Sequence, residues 1–255
     1  MKRFLAALLL LVLLSPSIVI AETWDDLVKR DGLYYKKFTD VPFTGNLEPK
    51  HANTWHGAMK DGQQYGPWII TDNSGQLVKK ITFIDGETLS PWVTYHGNGQ
   101  LFERGTLSVE KNPQWLSWRP GHDLYTDAKR EGSWVSYNHK GQLLTKGNYK
   151  DGEKEGLWVI YHDSGLLSTK GAYKVGVRDG LWVHHHANSR LSMKGSYKDQ
   201  KKEGLWVSYH ANGQLSTKGA YKDGKKEGLW VGYGPNGTVS DIFTGTFKNG
   251  KKISD

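Results

Sequence analysis

The stretch 204–224, Gly-Leu-Trp-Val-Ser-Tyr-His-Ala-Asn-Gly-Gln-Leu-Ser-Thr-Lys-Gly-Ala-Tyr-Lys-Asp-Gly, decides the fold of this chain. β-Branched and aromatic residues near both ends favour two short strands. Between them, Asn212-Gly213 accepts the positive φ angles of a tight turn at little cost. The stretch therefore predicts a β-hairpin. A charged, Gly-rich loop is expected after it, from Asp223-Gly224 through Glu227-Gly228, as it is over residues 151–156.

The same pattern recurs with a period of 24 residues. Tyrosines three residues after each aligned tryptophan, glycines seven and thirteen after it, and leucines nine after it mostly keep the same register. A single hairpin of this size is marginally stable, so the units must pack their aromatic side chains on one another. The sequence predicts an all-β fold, an elongated single-layer antiparallel sheet of tandem β-hairpin repeats. The aligned tryptophans are Trp68, Trp92, Trp134, Trp158, Trp182, Trp206 and Trp230.

The face on which each side chain lies cannot be read from the spacing. Like positions of consecutive hairpins are two strands apart, about 9.5 Å, so we expect the tryptophans to form a structural ladder. A two-residue turn and a three-residue turn between the strands give opposite answers to whether Trp158 shares a face with Tyr173. Ser189 and Gln200 stand where turn glycines are expected, and His185 replaces the usual tyrosine.

Residues 1–21 have the form of a secretory signal peptide. Lys2 and Arg3 precede an apolar run, and small or branched residues lead to a cleavage position after Ala21. The uninterrupted apolar run, residues 4–14, is shorter than the roughly 20 residues that span a bilayer. The chain has no cysteine, and so no lipid-attachment site of that kind. We expect a soluble periplasmic or secreted protein.

The remaining chain divides into three parts. Residues 22–45 form an N-terminal cap, in which Thr23 to Asp26 resembles a capping box for a short helix to about Lys29. Residues 46–250 hold the repeats. An insertion at about 109–129 lengthens the step from Trp92 to Trp134 by 18 residues. Residues 251–255 form a C-terminal tail.

Charge favours an anionic partner. Two of the 34 Lys and Arg lie in the predicted signal peptide, and the others exceed the 26 Asp and Glu by six. Such an excess directs a chain towards acidic proteins, anionic lipid, acidic glycans or nucleic acid. Export argues against nucleic acid.

Catalytic motifs are missing from the sequence. No G-x-S-x-G, H-E-x-x-H, P-loop or C-x-x-C occurs, and the G-x-G-x-x-G pattern at 232–237 falls on a hairpin turn rather than between a strand and a helix. The repeated acids Glu155, Glu203 and Glu227 are expected in separate loops. We therefore predict no enzymatic activity and no cofactor.

Histidines recur four residues after tryptophan, at His96, His162, His186 and His210. Neighbours in this column are about 9.5 Å apart, whereas ligands of one zinc ion lie about 2.0–2.1 Å from it. We therefore expect solvated side chains near turns and no metal site.

Two groups of residues are candidates for partner binding. The first is the aromatic set in the insertion, because exposed aromatic side chains on loops often form binding sites; a hairpin that folds back on the sheet is equally consistent with its sequence. The second is a lysine column on the return strands, which is either a docking stripe or a charged face that keeps an open sheet soluble. The candidates are Trp115, Trp118, Tyr125, Lys146, Lys170, Lys194 and Lys218.

The unit from Gly204-Leu205-Trp206 through Asp223-Gly224 resembles the MORN (membrane occupation and recognition nexus) repeats. It is most similar to their bacterial variant in the YwqK-type antitoxin family, whose start is also similar to residues 31–35 and 41–45. The resemblance implies a protein-binding or scaffold module with an antitoxin or immunity role and a toxin as its partner. The alternative is an envelope-surface binder of anionic lipid or glycan.

Overall fold

The computed structural model describes residues 22–49, 51–84, 87–108 and 129–254. A short two-stranded sheet, Leu27–Arg30 and Leu33–Lys36, precedes one long antiparallel sheet whose strands pair strictly in sequence order. No ladder between described residues joins the last strand, Lys251–Ser254, back to the first, Gly45–Leu47, so the sheet is open. The predicted fold class is confirmed. The predicted signal peptide lies outside the described residues.

The two sheets contain 19 strands in the described residues, most of them eight or nine residues long. Their bounds are β1 Leu27–Arg30, β2 Leu33–Lys36, β3 Gly45–Leu47, β4 His56–Lys60, β5 Gln63–Thr71, β6 Leu77–Ile84, β7 Glu87–Tyr95, β8 Leu101–Ser108, β9 Lys129–Tyr137, β10 Leu143–Lys150, β11 Glu153–Tyr161, β12 Leu167–Lys174, β13 Val177–His185, β14 Leu191–Lys198, β15 Lys201–Tyr209, β16 Leu215–Lys222, β17 Lys225–Gly232, β18 Gly245–Lys248 and β19 Lys251–Ser254.

The N-terminal helix predicted to about Lys29 is wrong in its length. The capping contacts form, since both the backbone N–H and the hydroxyl of Thr23 donate to the Asp26 carboxylate at 2.8 Å. The helical segment is a single 3-10 turn, Trp24–Asp26, and Lys29 lies in β1. Within the described residues, no helix has the length and hydropathy of a membrane span.

Trp24 closes the first end of the sheet. Its ring is buried against Trp68 and Tyr34, with centroid distances of 5.4 Å to each, and its indole N–H donates to the Trp55 carbonyl at 2.8 Å. Trp24 thereby joins the N-terminal segment to the core of the first hairpins.

Each repeat alternates a two-residue turn with a longer one. The charged loop predicted over 151–156 is shorter than expected. Lys150 already pairs with Glu153, so only Asp151 and Gly152 form the turn. Both turn residues have positive φ, which matches the right-handed twist of the strands. Gln200 and Ser189, which replace glycines, also adopt positive φ, at 65° and 67°. The turns therefore keep their form without glycine.

Bulges settle the register. Trp158 pairs with Gly171 and Gly156 pairs with Tyr173, so Trp158 and Tyr173 share a face. We call this the tryptophan face. On the other side of the same strands, Val159 pairs with Lys170; we call this the lysine face.

The insertion leaves the sheet at a turn. Ser108 pairs directly with Lys129, as Lys150 does with Glu153, so residues 109–128 stand where other repeats have two residues. The sheet continues without interruption from β8 to β9.

The C-terminal residues differ from the predicted tail. Residues 251–254 form β19, which pairs with β18. The G-x-G-x-x-G pattern lies on a turn, as expected, where the Gly237 N–H donates to the Gly234 carbonyl at 2.9 Å.

Candidate binding faces

An aromatic ladder runs along the tryptophan face. Indole and phenol rings alternate edge to face, with centroids 5.1 Å apart from Tyr173 to Trp182 and 6.1 Å apart from Trp182 to Tyr197. This geometry is favoured by the ring quadrupoles and adds to the energy of apolar burial. The ladder continues through Trp134, Tyr149, Trp158, Tyr173, Trp182, Tyr197, Trp206, Tyr221, Trp230 and Phe247.

Each indole lies on a glycine of the preceding strand. A Cβ added to Gly171 would lie 2.1 Å from the ring of Trp182, and the Trp182 indole N–H donates to the Ala172 carbonyl at 3.1 Å. The glycine column thirteen residues after tryptophan therefore leaves room for the next indole. Trp182 is only 1% exposed as a result.

A row of cations covers the ladder, and the sequence analysis missed it. The Lys202 ammonium lies 4.3 Å from the centroid of Trp206 and 5.0 Å from that of Tyr221. Cations over aromatic faces are stabilised by the ring quadrupole. The signal in the sequence is a basic residue four positions before each of five tryptophans. The members of this cation row are Arg130, Lys154, Arg178, Lys202 and Lys226.

The cation row is partly desolvated. Burial lowers the pKa of Lys202, and the positive charges of Arg178 and Lys226 lower it further. Burial also lowers the pKa of Lys226. Arg130 forms a salt bridge with Glu103 at 3.0 Å. Within the described residues, no carboxylate lies within 4.0 Å of the ammonium groups of Lys154, Lys202 or Lys226.

Beside the ladder lies a row whose members differ between repeats. Thr169 pairs with His184, which pairs with Met193, and Ser208 pairs with Thr217. The Thr169 hydroxyl and His184 Nδ1 are 3.1 Å apart, and the Ser208 and Thr217 hydroxyls are hydrogen-bonded. Buried His184 Nε2 has no hydrogen-bond partner in the described part of the chain. A cleft of about 110 Å³ opens here, lined among others by Met193, Lys202, Ser208, Thr217, Tyr221 and Trp230.

The predicted lysine column forms one straight row on the lysine face. Lys170 pairs with Val159 on one side and Val183 on the other, and Lys194 pairs likewise with Val183 and Val207. Basic and aliphatic side chains thus alternate from strand to strand. Lys146, Lys170, Lys194 and Lys218 are all exposed, and none has a carboxylate within 4.0 Å among the described residues.

Nearby acids are occupied elsewhere. The carboxylate of Glu155 accepts from the backbone N–H of Val175 at 2.8 Å, and that of Glu203 from Asp223 at 3.0 Å. These acids lie in strands rather than in the predicted loops, and each binds the tight turn of the next hairpin. They therefore hold the turns in place, and they form no ion pair with the lysine row among the described residues.

The partner-binding candidates of the insertion, Trp115, Trp118 and Tyr125, lie outside the described residues. Their role therefore stays a prediction.

The histidine column joins neighbouring hairpins. Nε2 of His186 lies 2.9 Å from the Tyr209 carbonyl, and Nε2 of His210 lies 2.8 Å from the Tyr233 carbonyl. A carbonyl only accepts, so Nε2 carries the proton in each case. The expectation of solvated side chains is wrong here, because these rings are half-buried and bonded. No three His, Cys, Asp or Glu in the described residues are grouped to hold a metal ion.

Fold and faces together define a tandem β-hairpin repeat protein, one open sheet with an exposed lysine row on one face and an aromatic ladder on the other. Two of its repeats, residues 130–151 and 202–223, match the model of the MORN repeat variant. MORN repeats are typical of proteins that bind other molecules. A comparison with curated proteins found no match.

Proposed function

We propose that this protein is an exported, non-enzymatic scaffold that binds an acidic partner protein through its lysine row. The observation that carries the proposal is the straight row Lys146, Lys170, Lys194 and Lys218, exposed and without carboxylate partners in the described residues. Such a field accelerates encounter with an oppositely charged partner and disfavours wrong ones.

The role of the scaffold in this proposal is taken from the likeness of its repeat unit to the YwqK-type family. In this proposal the acidic partner is a toxin, which the protein binds in an antitoxin or immunity role outside the cytoplasm. Export rests on the signal-peptide pattern of residues 1–21. Mass spectrometry of the N-terminus of the protein recovered from cells tests it, with cleavage after Ala21 as the expected result and an intact leader as the contrary one.

A second candidate function is binding to an anionic membrane surface, and one observation favours it. Leu157, Leu181, Leu205 and Leu229 lie on the lysine face and are each 52–66% exposed. Exposed apolar side chains beside cations are typical of surfaces that contact lipid head groups and acyl chains.

Charge neutralisation tests the proposed face. In the test variant Lys146, Lys170, Lys194 and Lys218 become Gln, and in the matched control Lys150, Lys174, Lys198 and Lys222 become Gln. Both variants lose four exposed positive charges on the same face. Affinity capture from envelope extracts is followed by binding measurements with the purified captured protein.

We expect the test variant to bind the captured protein at least tenfold more weakly and the control to bind it nearly as wild type. Equal weakening of both variants would reduce the effect to net charge and contradict the proposal. Pelleting with phosphatidylglycerol vesicles, but not with phosphatidylcholine vesicles, would favour the membrane function instead.

A further inference from the structure

We propose that the tryptophan face is a second binding site, which holds an extended acidic polypeptide segment with a carboxylate at every third residue. The segment lies along the ladder, across the strands, and its carboxylates meet the cation row. This site is on the opposite side of the sheet from the lysine row and does not rest on it.

The first argument is charge. Lys154, Lys202 and Lys226 are half-buried over indole rings, at 4.3–4.5 Å from the ring centroids, and have no carboxylate partner within the described residues. Partial burial of a cation is unfavourable unless an anion or hydrogen bonds compensate it. The indole rings offset part of this desolvation cost, and a bound carboxylate offsets the rest.

The second argument is spacing. Equivalent cations are one hairpin apart, which is about 9.5 Å along the sheet. Three residues of a polyproline II segment span about 9.3 Å. An extended acidic segment therefore keeps register with the cation row over several repeats, whereas clustered carboxylates meet one cation only.

The third argument is the variable row beside the ladder. Half-buried Thr169, Ser208 and Thr217 offer hydroxyl groups, and His184 has a buried Nε2 without a partner in the described chain. A peptide supplies carbonyl and N–H groups at short intervals, which suit such a row. The cleft beside Lys202 shows that the face is open to a side chain.

Burial disfavours other anionic occupants. Sugars stack on exposed aromatic faces, but each ladder tryptophan from Trp134 to Trp230 lies between glycine backbone and a cation, and Trp206 is only 3% exposed. A flat bilayer reaches projecting cations, whereas Lys154, Lys202 and Lys226 are recessed against the rings. A narrow, flexible polypeptide can reach recessed cations and does not need to stack on the buried rings.

Synthetic peptides test the proposal. One peptide contains four Glu-Pro-Pro units, and a control of equal composition has its four Glu residues together. Binding to the mature protein is measured by calorimetry, and the indole N–H resonances of Trp158, Trp182, Trp206 and Trp230 are followed by NMR. We expect the spaced peptide to bind at least tenfold more tightly and to shift these resonances.

Two protein variants complete the test. Lys154, Lys202 and Lys226 become Met in one variant, which keeps an apolar stem on each indole, and Lys170, Lys194 and Lys218 become Gln in the other. The Met variant should lose the spaced peptide, and the Gln variant should retain it. Equal binding of the two peptides, indole resonances that do not move in wild type, or loss only in the Gln variant would overturn the second site. The last of these results would leave the proposed lysine-row function standing.

Discussion

The indole of Trp206 lies so close to the backbone of Gly195 that a methyl group on Gly195 would come within 2.2 Å of the ring. The indole N–H then donates to the next carbonyl, that of Ser196, at 3.1 Å. Two columns of the repeat, one glycine and one tryptophan, thus form a single contact between neighbouring strands. This contact explains why the glycine recurs as regularly as the tryptophan.

The substitution Gly195→Ala should therefore destabilise the protein. The added methyl group displaces the indole, and overpacking of this kind costs about 1–3 kcal/mol. Urea denaturation followed by tryptophan fluorescence measures the loss. In a Trp206→Ala background the same substitution should cost much less, because the ring is gone; an equal cost in both backgrounds would show that the two residues are not coupled.

Val175 occupies a turn position that suits it poorly. Its φ is +49°, where Asp151 and Asp223 stand in the equivalent turns, and a β-branched residue is strained in this region. Val175→Asn should raise the free energy of unfolding by about 1 kcal/mol. The reverse change, Asp223→Val, serves as the matched control and should lower it by a similar amount. A neutral result for both in urea denaturation would contradict the argument from strain.

His210 links two hairpins through its Nε2–H donor and the Tyr233 carbonyl. His210→Ala leaves that carbonyl without its partner and should cost about 1–2 kcal/mol. Hydrogen exchange should quicken at the amides of the last hairpin. His139 is exposed and its side chain makes no hydrogen bond to a described residue, so His139→Ala should change neither measurement. Similar effects of both substitutions would argue against the link.

The repeat period predicted the sheet, the ladder and the lysine row, because side chains at one offset in every unit must lie in line. It did not predict which residues share a face. That depends on bulges such as the one beside the longer turn, where Ile160 pairs with Thr169 but Tyr161 pairs with Leu167, so that the alternation of faces shifts by one residue. The position of Lys154 over both Trp158 and Tyr173 requires these two rings to share a face. The offset of the cation row from tryptophan was visible in the sequence, but its position over the rings was not.

The local sequence pattern also did not predict how short the N-terminal helix is. Thr23 and Asp26 form the predicted cap, yet Leu27 pairs with Lys36 in a strand. A capping box favours the first turn of a helix only, and strand pairing with the following segment overrides its continuation.

Asp26 should make stability depend on acid pH. Hydrogen bonds from the backbone and side chain of Thr23 lower the pKa of its carboxyl below the ordinary value of 3.8. The ionised carboxylate therefore stabilises the fold at pH above 3.8, and this contribution is lost as the pH falls through the lower folded value. Asp26→Asn should be less stable than wild type at pH 6, and the difference should shrink as the pH falls below 3.8. A difference that stays constant across this range in thermal denaturation would contradict the assignment.

Replacement of residues 109–128 by Asp-Gly should leave the sheet intact. Ser108 and Lys129 already pair directly, as the residues on either side of Asp151-Gly152 do, so a two-residue turn can close this hairpin as well. A shorter loop also loses less entropy on closure, which gives the shortened protein up to about 2 kcal/mol of added stability. Urea denaturation and circular dichroism measure the outcome. A net loss of more than about 1 kcal/mol in spite of this entropy gain would show that the insertion packs on the sheet and supports it. Unchanged or higher stability would agree with a role of Trp115, Trp118 and Tyr125 in binding a partner.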